Sequence, residues 1–241
     1  MVQVNQGEKE QRYGLKVTVF VILAVALSSF IVAGALLDMH IGTNFIELLF
    51  KCIIIAGILA YAGYKKECHS LWEGKFFTPF LFLAIIPCVI FSLSVIGSPD
   101  SSPSFSLIVF TVLGVLTTAI WEELFFRYVG KSLFGKGEGF AFSDFMMLTT
   151  VFAAVHLINM FFYPPLDVLL QVAEAATVGV FLLALYCKTK NIMVPITSHF
   201  VLNLVAGLFP IFVTHSSNRL FAGLENLFVV AVRFYCLLSG I

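Results

Sequence analysis

Apolar residues run through this chain in long blocks, with charge gathered between them. A helix needs about 20 mostly apolar residues to cross a bilayer. Eight blocks approach or exceed that length: 17–37, 45–64, 77–96, 105–126, 142–162, 166–186, 192–213 and 221–238. The last is the weakest, because Glu225 and Arg233 interrupt it. The first is too long for the core of a signal peptide and leads directly into a second span, so it is expected to be retained. The expected fold class is all-α: a polytopic membrane protein with about eight transmembrane helices. No intervening loop is long enough to fold alone, so residues 1–241 read as a single membrane domain.

Composition agrees with lipid as the outer solvent. The chain is 60% hydrophobic and only 12% charged, with a mean hydropathy of +1.00. Soluble domains are roughly 45–50% apolar and about 25% charged. The formal net charge is zero, which gives no basis for a nucleic-acid partner. Five cysteines, Cys52, Cys68, Cys88, Cys187 and Cys236, stand singly. Without a CxxC pair they read as reduced core residues rather than a disulfide or zinc framework.

Positive charge sets an orientation. Lys9, Arg12 and Lys16 precede the first block; Lys65, Lys66 and Lys75 separate the second and third. Arg127, Lys131 and Lys136 follow the fourth, and Lys188 and Lys190 follow the sixth. These eleven fall on one side, against Arg219 alone in the opposite loops. Both termini are therefore expected in the cytoplasm. Internal repeats, the mark of many transporters, are missing.

Ionisable groups are costly inside a bilayer, so each is a functional candidate. Glu122, Glu123 and Arg127 lie at the cytoplasmic end of the fourth block, His156 in the fifth, and His199 and Asn203 in the seventh. At ~100° per residue Glu123 and Arg127 share a helix face and are placed to form a salt bridge. Glu122 points about 140° from Arg127 and lacks that cation. A buried carboxylate without a cation suits a general base. His199 and Asn203 are also four apart and face one cavity. Helical rise puts Glu122 and His199 at similar depths, roughly 14–15 Å from the cytoplasmic ends of their helices. Elsewhere, Glu47 and Lys51 are expected to neutralise each other, and Gln171 and Glu174 share a face of the sixth block.

Three motifs emerge in order. Residues Glu122 to Arg127 have the form EExxxR, Phe152 to His156 the form FxxxH, and His199 to Asn203 the form HxxxN. Together they resemble the CPBP family, the CAAX proteases and bacteriocin-processing enzymes also called Abi proteins. The resemblance covers roughly residues 105–210, the expected catalytic core. It implies an eight-helix glutamate intramembrane endopeptidase acting on a membrane-associated protein or peptide. Glu122 would activate water, His156 would hold it, His199 and Asn203 would stabilise the oxyanion, and Glu123 and Arg127 would support them. The family also contains bacteriocin-immunity proteins, so a non-catalytic immunity or scaffold protein is the alternative. Short loops and compact length point to a prokaryotic cell membrane. Glu122, His156 and His199 carry the donor types of a zinc site with two histidines and one glutamate. The HExxH pattern is absent, and His199 and Asn203 on one face suit an oxyanion hole. No cofactor is therefore expected, with zinc as the alternative.

Overall fold

A computed structural model describes residues 6–42, 45–66, 105–135 and 140–213. The expected spans at 77–96 and 221–238 lie outside the described residues, as do Cys68, Cys88, Cys236, Lys136 and Arg219. Among the described residues every regular element is helical. These are α1 (Gln6–Ile41), α2 (Ile46–Tyr64), α3 (Phe105–Glu123), α4 (Gly130–Phe134), α5 (Phe142–Ala154), α6 (Pro165–Thr189) and α7 (Met193–Val213). A π turn, Leu124–Val129, joins α3 to α4 without a break, and α5 tightens into a 3-10 segment, Val155–Phe161. Among the described residues five stretches are long and apolar enough to cross a membrane: Glu10–Ile41, Ile46–Tyr64, Ser106–Phe134, Phe142–Phe161 and Pro165–Thr189. Met193–Leu204 is a shorter apolar stretch within α7. The chain is thus a multi-pass integral membrane protein.

Local chemistry sets the reversals. Gly42, at φ +76°, turns the chain after α1. Asp38 then caps α2: Oδ1 accepts from the N–H groups of Phe45 and Ile46, and Oδ2 from that of Glu47. A carboxylate at a helix N-terminus satisfies donors that lipid cannot. Pro165 occupies the first turn of α6, where its missing N–H costs nothing. Lys190, at φ +57°, ends α6. The Asn191 side chain accepts from the Met193 N–H at 2.9 Å and starts α7.

Helix α1 packs on α2, α2 on α3, α3 on α7, α5 on α6, and α6 on α7. At the end of the bundle that holds the start of α1, Tyr13 donates to Asp144 Oδ1 at 2.6 Å and Lys16 to the Leu133 carbonyl at 3.0 Å. The start of α1, the end of α4 and the start of α5 therefore share one end, as the charge pattern requires. Below them lies an aromatic core. Phe20 stacks on Phe125 at 4.9 Å and meets Phe126 and Phe134 edge-on. Such pairs add about 0.5–1.5 kcal/mol each beyond their buried area.

The expected Glu47–Lys51 pair forms at 2.5 Å, and the buried ammonium also reaches the Gly114 carbonyl of α3 at 3.5 Å. The cysteine expectation is corrected in one place. Cys52 is exposed, because its position on α2 faces away from α1 and α3, while Cys187 is half-buried. Gln171 accepts from the Asn159 amide at 2.8 Å, whereas Glu174 is exposed.

Candidate active site

Glu122 and Glu123 end the regular part of α3, and Arg127 lies inside the π turn. A π turn adds a residue to the helical repeat, and such turns favour functional sites. The even angular step used to sort the faces therefore stops at Glu123. Glu123 and Arg127 nevertheless meet, with Oε2 2.9 Å from Nε. Both side chains are buried, at 0% and 1% exposure. The contact is an ion pair rather than a well-aligned hydrogen bond, since neither atom gains a hydrogen-bond partner. Arg127 Nη2 donates to the Gly179 carbonyl of α6 at 3.4 Å, and its Cζ lies 4.6 Å from the Phe152 ring centroid.

Helix α7 brings His199 against both glutamates. Its Nδ1 is 2.8 Å from Glu123 Oε1, and its Nε2 is 3.7 Å from Glu122 Oε2. The imidazole is buried, and Glu123 is the anion partner of Arg127. Nδ1–H accordingly donates to that carboxylate, which leaves Nε2 turned toward Glu122. Glu122 Oε2 is buried and has no hydrogen-bond partner. Buried polar atoms are normally satisfied, so an orphan of this kind marks a place for water or a ligand.

His156 does not sit on a regular α-helix as its block suggested. It falls in the 3-10 segment after α5 and is half-buried. Its Nδ1 donates to the Phe152 carbonyl at 2.9 Å, because a carbonyl can only accept. In the neutral ring Nε2 then keeps its lone pair. The His156 and His199 rings flank the same phenyl group, with centroids 5.2 and 6.0 Å from that of Phe152. Asn203 lies one turn along α7 from His199 and is half-buried.

Glu122, Glu123, Arg127 and His199 thus form one contact network, and His156 is tied to it through Phe152. Among the described residues no three His, Cys, Asp or Glu side chains are grouped to hold a metal ion. Residues 104–205 match the Rce1-like family of type II CAAX prenyl endopeptidases. This is the CPBP family that the ordered motifs resemble. The matched segment is less than half of the 241 residues, yet it holds all six candidates. No curated protein and no solved structure matches the chain. The CAAX-endopeptidase match points to a membrane protease with a membrane-associated substrate.

Sequence reasoning missed two features. One is the bond between Glu123 and His199, which joins two motifs 76 positions apart. The other is Gly179, whose only signal was a glycine inside an apolar helical run.

Proposed function

We propose that the chain is a glutamate-dependent intramembrane endopeptidase that hydrolyses a peptide bond of a membrane-associated protein or peptide. The observation that carries this reading is the imidazole of His199 held between two glutamates, with Glu122 Oε2 buried and unpartnered. Water at that oxygen would sit beside a base. Glu122 takes a proton from water as its oxygen attacks the scissile carbonyl, and the C–O bond forms. The carbonyl electron pair moves onto oxygen, where the Asn203 amide is the available donor, joined by His199 Nε2–H when the ring carries both protons. Glu122 then returns the proton to the leaving nitrogen as the C–N bond breaks. His156 Nε2, with its lone pair free, accepts a hydrogen bond from the water and orients it.

We further propose that no metal takes part, that both termini face the cytoplasm, and that the enzyme resides in a prokaryotic cell membrane. The substrate class is a CAAX-type protein, a leader peptide or a sorting tail.

The test is hydrolysis of a membrane-anchored reporter by purified protein, with Glu122→Gln as the comparison. Loss of cleavage in the variant, with helicity kept, supports the proposal. Equal cleavage by both proteins sinks it. No cleavage by either would favour the non-catalytic alternative, an immunity or scaffold protein.

A further inference from the structure

Among the described residues, the Phe152 side chain meets three of the polar groups. Its ring lies against the Arg127 guanidinium, meets His156 and His199 edge-on, and its carbonyl accepts from His156 Nδ1. Phe126 closes another side at 5.1 Å. A further neighbour is Gly179 of α6, a helix that carries none of the three motifs. A Cβ built on Gly179 would stand 2.8 Å from Phe152 Cδ1, 3.5 Å from Cε1 and 3.4 Å from Thr149 Cγ2. Real Cβ atoms essentially never approach below 3.0 Å, so the ring would have to recoil by several tenths of an ångström. It has little room for this, being packed against Phe126 and Arg127.

The same glycine makes a second contact with the site. Its carbonyl accepts from Arg127 Nη2 at 3.4 Å. Glycine weakens a helix interior relative to alanine, so its presence here needs a packing reason. The two contacts supply one. Close approach of α6 lets its backbone hold one arm of the guanidinium and act as the back wall of the phenyl ring.

We propose that Gly179 is a positioning residue of the site. It seats the Phe152 ring against the α6 backbone and so fixes the spacing of Arg127, His156 and His199. It touches no substrate and acts only through Phe152 and Arg127. In its kinetic consequence the inference rests on the hydrolytic reading above; in its geometric consequence it does not.

The experiment is Gly179→Ala in the full chain, purified in detergent micelles beside Gly57→Ala. Gly57 lies on α2 with nothing near its Cβ position, so that control is expected to behave as wild type. A misplacement of ~1 Å can cost ~10²-fold in rate. Gly179→Ala is expected to lower kcat by about that factor while KM stays within about twofold. The second readout is NMR of histidine-labelled protein. The His156 and His199 ring signals should both move, although the atoms nearest a Cβ at position 179 belong to Phe152 and Thr149, while the signal of exposed His40 stays in place. This arm needs no hydrolysis, so it separates failure of the positioning proposal from failure of the protease reading. Folded Gly179→Ala with unmoved His156 and His199 signals overturns the proposal, as does unchanged kcat in a protein shown to cleave. If Gly179→Ala does not accumulate folded, Phe152→Leu is added. Recovery of the fold supports the seat, and failure to recover overturns it.

Discussion

Changing Glu123 to glutamine tests the centre of the site most severely. Glu123 is fully buried, and each of its oxygens faces a donor: Arg127 Nε at 2.9 Å and His199 Nδ1 at 2.8 Å. Glutamine keeps the shape but supplies one acceptor oxygen and an NH₂ group. One of the two donors then faces another donor, and Arg127 loses its nearest anion. Removing one partner of a buried ion pair typically costs about 3–5 kcal/mol. Glu122→Gln is the counterpart. Glu122 Oε2 has no hydrogen-bond partner, and His199 Nε2 is 3.7 Å away. That substitution should stay within about 1 kcal/mol of wild type. Equilibrium unfolding in mixed micelles, followed by circular dichroism, measures both variants on one scale. A third variant, Glu123→Gln with Arg127→Met, should recover much of the lost stability, because removing both charges leaves neither unpaired. It should remain inactive, since His199 has lost its anionic anchor. Glu123→Gln unfolding within about 1 kcal/mol of wild type would refute the reasoning.

Three further outcomes are expected. Glu122→Gln should abolish cleavage of a membrane-anchored reporter while leaving helicity intact; retained turnover would reassign the base. Asn203→Ala should lower kcat ~10²–10³-fold with little change in KM, the usual loss for an oxyanion donor; stoichiometric zinc in the purified protein together with near-normal Asn203→Ala turnover would end the metal-free reading. In a cysteine-free background, a cysteine replacing Arg12 should react with an impermeant thiol reagent only after permeabilisation, and one replacing Tyr163 should react in intact cells; the reverse pattern would invert the orientation.

Much of this architecture is legible because lipid imposes simple rules. A span needs length and apolarity, so α1, α2, α3 and α6 stand out as blocks in the sequence. The paired ends of the bundle are legible too. The same cations that mark one side of the membrane flank Tyr13, Phe134 and Asp144, which meet in space. The six polar candidates are legible because a hydrocarbon surrounding makes each of them conspicuous. Spacing of four correctly pairs Glu123 with Arg127 and Glu47 with Lys51, since both pairs lie within one helical segment or straddle its last regular turn.

What the pattern hides is everything that depends on departure from the regular helix or on contact between helices. Nothing in Leu124–Val129 announces a π turn; its residues are apolar or aromatic apart from Arg127, and the widening is stabilised by what packs around it. The same is true of the 3-10 segment that carries His156. Periodicity placed Glu122 and Glu123 on different faces with different partners. In the structure both carboxylates reach one imidazole, from its two nitrogens, because α7 crosses the end of α3 at the position where the regular repeat gives way. That crossing explains why the two glutamates need not share a face to share a site. One meets the ring at Nδ1, and the other faces Nε2. Adjacent residues on an ideal helix diverge by ~100°, which would ordinarily separate their chemistry. A second helix bridging both directions sets the two carboxylates around a single imidazole.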